Sequence, residues 1–499
     1  MNITASKLYN YIQCEHRIWR DVYGPQDEKS KDTNPFVQML WDKGVAHEEK
    51  IVEGLGQVLN LKDAGTEEEK IQKTIEAMKM DVPLIYQGVL RSGDLLGIPD
   101  LLQSNGDGTY LPIDIKSGMG VEGVDEENDN DGKYKKHYAV QIALYAEVLI
   151  ANGFAKDHKG MIIDIDSEKV IYNLDQEMGA RNPITWWQYY QEIKLKSTSL
   201  LLNENQNKPA YSGKCKLCPW YDSCKKWIKD KHDPSAIFYV GRSMRDTLFK
   251  DLEIESFEDI INIDVEQALE KKEKEKGFLY RIGKDSLEKC IKRAKVMNNI
   301  KKPVIYNTPV FPKTSYELYF DIEDDPTQAF VYLHGVYERS PNGERFVSFV
   351  AEEKTDASER EAWLNFWNYI RSLPKNDFTV YYYSHHEKTT YKKMSQKYPG
   401  VVSDEELEWF FSPEKSVDLY SDVILKNTDW PLMSYSLKDI AQYLDFSWRD
   451  KSPSGAMSIE WFNKYLETKD KEDMNRILLY NEDDCKATMI IKDFLNKQN

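Results

Sequence analysis

The sequence predicts a multidomain α/β protein, with an α/β body at each end and a charged helical stretch between them. Three observations lead to this. The chain has 499 residues, too many for one hydrophobic core and of the order of three domains. Helical periodicity alternates with short β-rich runs up to about residue 231 and again from about residue 306. Hydrophobic residues make up 41% and aromatic residues 12%, which is enough for packed cores rather than disorder.

Residues 1 to 231 open with two helical patterns, SKLYNYIQCEHRIW and FVQMLWDKGVAHEEKIVEGL. Extended segments follow, PLIYQGVL, LLGIPDLLQ and TYLPIDIKSG, and then a long helix, HYAVQIALYAEVLIANG. GMIIDID and KVIYNL read as a strand pair before a helix around TWWQYYQEIKLK. The acidic, Gly-rich GMGVEGVDEENDNDGKYKK reads as a mobile loop. It is not a calcium loop, because a start at Glu127 puts Tyr138 where the bidentate acid belongs. Residues 232 to 305 read as a helical linker domain whose FYVGRSMRDTLFKDLEIESFEDIINID has the rhythm of a helix–hairpin–helix element without a clear Gly-x-Gly. The alternative is a helical spacer. From Tyr306, three strands (SYELYFDIEDD, QAFVYLHGVYE, ERFVSFVAE), a helix (ASEREAWLNFWNYIRSL), a strand (FTVYYYS) and further helices suggest a sheet flanked by helices.

No apolar run reaches the roughly 18–20 residues that span a bilayer, so no membrane partner is expected. The N-terminal MNITASKLYNYIQCEHRIW lacks the basic head and apolar stretch of a signal peptide, which leaves a cytoplasmic protein as the expectation. No Walker A loop is present; GFLYRIGKD comes closest and has the wrong spacing, so no ATPase motor is expected. Net charge is −17, yet Gln267–Pro303 holds twelve Lys/Arg against five Asp/Glu, a local +7. Lys292, Arg293 and Lys295 in that stretch are candidate phosphate contacts, against the plainer reading of a solvated helical face.

In LPIDIKSG, Asp114 and Lys116 are two apart on a strand, so both side chains leave one face. Asp100, in GIPDLL, ends a neighbouring strand. Two carboxylates can hold a hard divalent cation, Mg²⁺ or Mn²⁺. Such an ion lowers the pKa of bound water, and Lys116 can orient that water or stabilise an oxyanion. His47 and Glu48 sit on a preceding helix and could complete the metal shell. Four of the six cysteines form a further pattern, a lone Cys14 and then Cys215-x2-Cys218-x5-Cys224. In a reducing compartment they read as metal or cluster ligands rather than disulfides. Zinc ribbons usually pair two C-x2-C knuckles, so a [4Fe–4S] cluster that clasps the ends of the domain is favoured over Zn²⁺. Cys290 and Cys485 read as ordinary thiols.

These ordered motifs resemble the RecB-family nucleases of the PD-(D/E)XK class, especially the iron–sulfur branch. The resemblance covers roughly residues 1–231 and implies a restriction-endonuclease-like fold. It implies metal ligation by His47, Asp100 and Asp114, catalysis by Lys116, and a substrate groove lined by Gln141 and Tyr145, which are i and i+4 on one helix face. Asp114 replaces the commoner Glu of that motif.

The second body repeats the logic. YFDIEDD puts Asp321 and Glu323 on one strand face, and LLYNEDDCKATMII puts Tyr480 and Asp484 at i and i+4 on a helix. Glu387 opens the helix after FTVYYYSHH. This set resembles the DEDD exonucleases of the ribonuclease H-like (DnaQ-like) class, in the subset with tyrosine in the third motif, over roughly residues 306–499. The resemblance implies a two-metal site held by Asp321, Glu323, Glu387 and Asp484, with Tyr480 positioning the attacking water for hydrolysis from a 3′ end. Glu387 stands where that family normally has Asp, and Asp418 is a fallback ligand. Asp324, Asp325, Glu482 and Asp483 read as solvated neighbours, and His385 and His386 as strand-end polar residues. YSLKDIAQYLDFSWRD and MSIEWFNKYL read as helices packed around the sheet.

The whole resembles a predicted RecB-like nuclease family that joins an iron–sulfur nuclease domain to a DEDDy exonuclease-like domain. The expected activity is metal-dependent hydrolysis of DNA ends or single strands, with RNA as the other possible substrate. A nucleic-acid-binding module with degenerate sites is the alternative, as is an enzyme that works with a helicase in a repair or defence complex.

Overall fold

The structure is a computed structural model that describes residues 2–31, 34–123, 132–179, 182–451 and 453–497. Residues 124–131 of the acidic loop, including Glu127, lie outside the described residues. The chain divides into two compact units, Met1–Pro209 with Gly213–Cys224, and Ala210–Ser212 with Lys225–Asn499. The helical stretch expected as a separate linker domain falls in the second unit.

In the first unit a six-stranded sheet runs in the order Lys169–Asn173, Lys159–Ile163, Tyr110–Ile115, Leu101–Ser104, Leu84–Tyr86, Leu59–Asn60. The Tyr110–Ile115 strand lies inside it, antiparallel to Leu101–Ser104 and parallel to Lys159–Ile163, with Ile162 opposite Asp114. The helix Lys136–Ala151 is apolar on nearly every face and is correspondingly buried. Val140, Ile142, Leu144 and Val148 have no exposed surface, and full burial of each such side chain stabilises by about 1.5–3 kcal/mol. Gly160 permits this close packing: a Cβ there would fall 2.5 Å from Ile142 Cγ2 and 2.9 Å from the Pro112 carbonyl oxygen. SKLYNYIQCEHRIW, expected as one helix, is two, Ala5–Gln13 and Glu15–Tyr23. Cys14 occupies the break in extended conformation (φ −162°, ψ 113°), so its thiol leaves the helical rhythm.

In the second unit a five-stranded sheet runs Gly343–Val350, Phe330–Ser340, Tyr316–Asp325, Phe378–Tyr382, Ser416–Asp418. The first three strands are antiparallel and the last two join in parallel. The Tyr316–Asp325 strand is central, which makes it a rigid mount for Asp321 and Glu323. Trp363, Phe366, Trp367, Tyr391 and Phe410 fill one side of the sheet in edge-to-face contacts. The C-terminal helix Lys471–Asn496 carries Tyr480 and Asp484. The helices Arg242–Leu252, Phe257–Ile261, Val265–Lys274 and Lys284–Lys295 share a core of their own.

Candidate active sites

In the first unit, Asp114 is buried and Lys116 Nζ stands 2.7 Å from its Oδ2. Asp100 is held by two donors: its Oδ2 accepts from the Ile115 backbone N–H at 2.7 Å and its Oδ1 from the Gln87 amide at 3.1 Å. Glu48 Oε1 accepts from the same Gln87 amide at 3.0 Å and from the Tyr86 hydroxyl at 2.8 Å. Burial, then the Asp114 charge, pushes the Asp100 carboxyl well above its ordinary range; Lys116 opposes the rise and Glu48 adds to it. Burial works to discharge Lys116, but Asp114 and Asp100 more than offset it, so the ammonium is held above its usual value. Three acids and one lysine therefore converge, a donor set that suits a hard divalent cation.

Tyr145 reaches this cluster. It hydrogen-bonds Asp114, and burial with the charges of Asp114 and Asp100 pushes its phenol far up. Gln141, one turn earlier, is buried, and its amide oxygen has no hydrogen-bond partner among the described residues. His47 lies on the same helix as Glu48. Its Nε2 bonds the Asp164 backbone carbonyl at 2.9 Å, and it is the next residue, Glu48, whose charge acts on Asp100.

The four cysteines come together in the same unit. Cys218 feels the charges of Cys14 and Cys215, and Cys224 those of Cys218 and Cys14. Burial raises both thiols, Cys224 to about 11; the Trp220 backbone and Arg17 oppose this at Cys218, and Arg20, whose Nη1 lies 3.6 Å from the sulfur, opposes it at Cys224. Cys14 and the Cys215–Cys224 segment thus lie within electrostatic range of one another, although among the described residues no three of their sulfurs lie within 4.8 Å of each other.

In the second unit, Asp321, Glu323 and Asp484 each offer an oxygen within 4.8 Å of the others, and among the described residues they form the one such group of three or more acids, histidines or cysteines. Asp321 is pushed well up by burial, then by Asp484, Glu323 and Glu387; Lys438 opposes. Glu323 rises to about 8 through burial and the Asp484 charge, and Glu387 to about 7 mainly through burial. Asp484 is also raised by burial, against Lys438 and hydrogen bonds from Trp448 and Tyr480. Trp448 Nε1 donates to Asp484 Oδ1 at 2.6 Å. Buried carboxylates that repel one another in this way are poised for cations. Asp418 is buried beside Glu387, pairs with His385 Nδ1 at 3.2 Å and caps the following turn through Ser421 N–H.

Several residues differ from their sequence reading. Arg293 does not share the surface of Lys292 and Lys295, which are exposed. It is buried, with Nε bonded to Asp429 Oδ1 at 2.7 Å and Nη1 to the Phe238 carbonyl at 2.8 Å. Asp325 and Asp483 are buried rather than solvated: Asp325 pairs with Lys354 at 3.3 Å, and Asp483 accepts from the Arg449 backbone and guanidinium, each at 2.8 Å. Glu482 pairs with Arg449 and Lys486, and Asp324 with His386 at 3.0 Å.

Sequence reasoning passed over Asn481, Lys438, Trp448 and Ser458. Asn481 has no exposed surface, and its Nδ2 donates to Asp321 Oδ2 at 2.7 Å and Glu323 Oε1 at 3.3 Å. Ser458 hydrogen-bonds Glu323. Lys438, Trp448 and Ser458 come from the two segments expected only to pack around the sheet. One signal for Asn481 was available: Gly335 interrupts a strand pattern, and glycine there marks close approach of another group. Gly335 lies opposite Asp321 in the sheet, and a Cβ on it would meet Asn481 Oδ1 at 1.6 Å.

Acid clusters on the strands of α/β sheets, one beside a lysine and the other beside a tyrosine, are an arrangement that metal-dependent phosphodiester hydrolases use. Comparison with known families agrees: residues 9–225 match the PD-(D/E)XK nuclease superfamily and residues 318–496 match the RNase_H superfamily. The chain is a PD-(D/E)XK nuclease domain fused to an RNase H-superfamily domain. The first match spans Cys14 to Cys224 with Asp100, Asp114 and Lys116, and the second spans Asp321 to Asp484. Domains of these superfamilies usually use Mg²⁺ or Mn²⁺ and bind nucleic acid. No curated protein matches the chain. Among the described residues no helix is long and apolar enough to cross a membrane.

Proposed function

We propose that this protein is a Mg²⁺- or Mn²⁺-dependent nuclease that hydrolyses single-stranded or end-exposed DNA, with a second, 3′–5′ exonuclease-like centre. The observation that carries this reading is the grouping of Asp321, Glu323 and Asp484 within 4.8 Å, with Tyr480 hydrogen-bonded to Asp484. When bound, paired divalent cations supply an activated water and neutralise the leaving oxygen. Asp321, Glu323, Asp484 and Glu387 hold them, and Glu387, one methylene longer than the family's Asp, reaches from the helix His386–Lys397. Tyr480 orients the attacking water. In the first unit Asp100, Asp114 and His47 hold the cation, with Glu48, whose charge acts on Asp100, as a further acid beside them. Lys116, charged and anchored on Asp114, steadies the nucleophile or the developing oxyanion. Gln141 and Tyr145 line the approach of the strand, and exposed Lys292 and Lys295 contribute phosphate contacts.

Cys14, Cys215, Cys218 and Cys224 hold a [4Fe–4S] cluster that ties the ends of the first unit together. A brown protein absorbing near 400 nm is expected; a colourless protein with stoichiometric zinc would refute the cluster.

The deciding experiment follows 5′- and 3′-labelled single strands of DNA and RNA over time with wild type, Asp114→Ala and Asp321→Ala. Each substitution should remove one metal-dependent product series and leave binding largely intact. Tight binding without cleavage under Mg²⁺ or Mn²⁺ would favour a binding module, and cleavage that appears only with a helicase would favour a subunit of a repair or defence complex.

A further inference from the structure

Lys438 sits on the short helix Leu437–Tyr443, whose start is capped by Ser436 through the Asp439 N–H. Its Nζ donates to the Tyr480 hydroxyl oxygen at 2.9 Å and to the Pro453 carbonyl at 2.6 Å. The same nitrogen stands 4.7 Å from the centroid of the Tyr480 ring and 5.9 Å from that of Trp448. The ammonium is thus fixed from several directions, and the contact with Tyr480 is part of a built arrangement.

The direction of that hydrogen bond follows from its chemistry. An ammonium carries three protons and no lone pair, so Lys438 donates and the Tyr480 oxygen accepts. A phenol has only one proton of its own. With Lys438 on the accepting side of the oxygen, the O–H must turn elsewhere, and the Asp484 carboxylate lies within hydrogen-bonding reach of it. Without Lys438 the hydroxyl could rotate away from Asp484, and the remaining lone pair would no longer face the water in a fixed direction.

We propose that Lys438 is a positioning residue for the second site: by donating to the Tyr480 oxygen it keeps the phenol proton on Asp484 and leaves one lone pair in a fixed direction to accept from the attacking water. This rests on the reading of Tyr480 as the water-orienting residue. Lys438 itself touches neither substrate nor cation and acts through Tyr480, so substitutions at 438 and 480 remove the same function.

The test is a kinetic double-mutant cycle in the full chain, with Asp114→Ala as background to silence the first site. The probe is a 3′-end-labelled single-stranded oligonucleotide with Mn²⁺. Lys438→Met should lower kcat about tenfold, the factor carried by one charge-assisted hydrogen bond, with KM unchanged within about twofold. Lys438→Arg, which keeps a donor, should recover most of the loss. Lys438→Met with Tyr480→Phe should be no slower than Tyr480→Phe alone. Losses that multiply in the double variant, or a loss confined to KM, would overturn the role of Lys438. Hydrolysis that survives Asp321→Ala in this background, or no hydrolysis at all, would overturn the reading of the second site and the role of Lys438 with it.

Discussion

Replacing Gly335 with alanine tests how the second site is held together. The added methyl would lie 1.6 Å from Asn481 Oδ1, 2.8 Å from its Cγ and 3.1 Å from Phe346 Cε2. Asn481 is fully buried and bonded to both Asp321 and Glu323, so it cannot step aside and keep those contacts. Overpacking of a core typically costs about 1–3 kcal/mol. Leaving a buried hydrogen-bond partner unsatisfied costs about 1–3 kcal/mol. Gly335→Ala should therefore destabilise the second unit by about 3–5 kcal/mol and displace the Asp321–Glu323 pair. Asn481→Ala alone should cost about 2–3 kcal/mol. In the double variant the methyl enters the space left by the amide, so the total should stay close to that of Asn481→Ala. Urea unfolding followed through the tryptophans of this unit measures all three, alongside Mn²⁺-dependent hydrolysis. Costs that add in the double variant would show that Gly335 is not there to admit Asn481.

Further outcomes are expected from charge, metal and sulfur. Folded Glu323, raised to about 8, and Glu387, raised to about 7, keep protons that the unfolded chain releases near 4.5, so the apo protein should lose stability as pH climbs through that interval. In EDTA the Tm of wild type should fall relative to Glu323→Gln between pH 5.5 and 8, and Mn²⁺ should restore more at pH 8 than at 5.5; a wild type that gains on Glu323→Gln as pH rises would contradict this. Glutamate at Lys292 and Lys295 should flatten the salt dependence of nucleic-acid binding, read as the slope of log Kd against log salt, whereas an unchanged slope assigns both to a solvated face. Cys14→Ser should bleach the 400 nm absorbance and lower the Tm of the first unit, and retained colour would remove Cys14 from the ligand set.

Much of the site was legible because its residues follow simple periods. Asp321 and Glu323 two apart on a strand, Tyr480 and Asp484 four apart on a helix, and the strand carrying Asp114 all express backbone geometry. Residues fixed by tertiary approach were harder to see. Lys438 gives no local sign of a partner forty-two residues away at Tyr480. The influence of Glu48 on Asp100 depends on the tertiary setting of its helix, which no local pattern reveals. Arg293 had a signal that a count of charges obscured. It lies three residues after the buried Cys290 and beside the buried Ala294, so helical spacing put it toward the packed side while its lysine neighbours faced outward. Asp325 and Asp483 were misjudged because acid-rich runs look solvated until their partners, Lys354 and Arg449, are found far along the chain.

The Arg293–Asp429 pair also decides where this molecule can be cut. Asp429 accepts from Arg293 at 2.7 Å and from the Tyr306 hydroxyl at 2.9 Å, while Phe238, Tyr239 and Tyr435 stack around the guanidinium. A fragment begun at residue 306 would leave that aspartate without its counter-ion and strip the aromatic wall from Tyr435. A piece of the second unit that keeps its helical collar should therefore start near Lys225, and one begun at residue 306 should be markedly less stable.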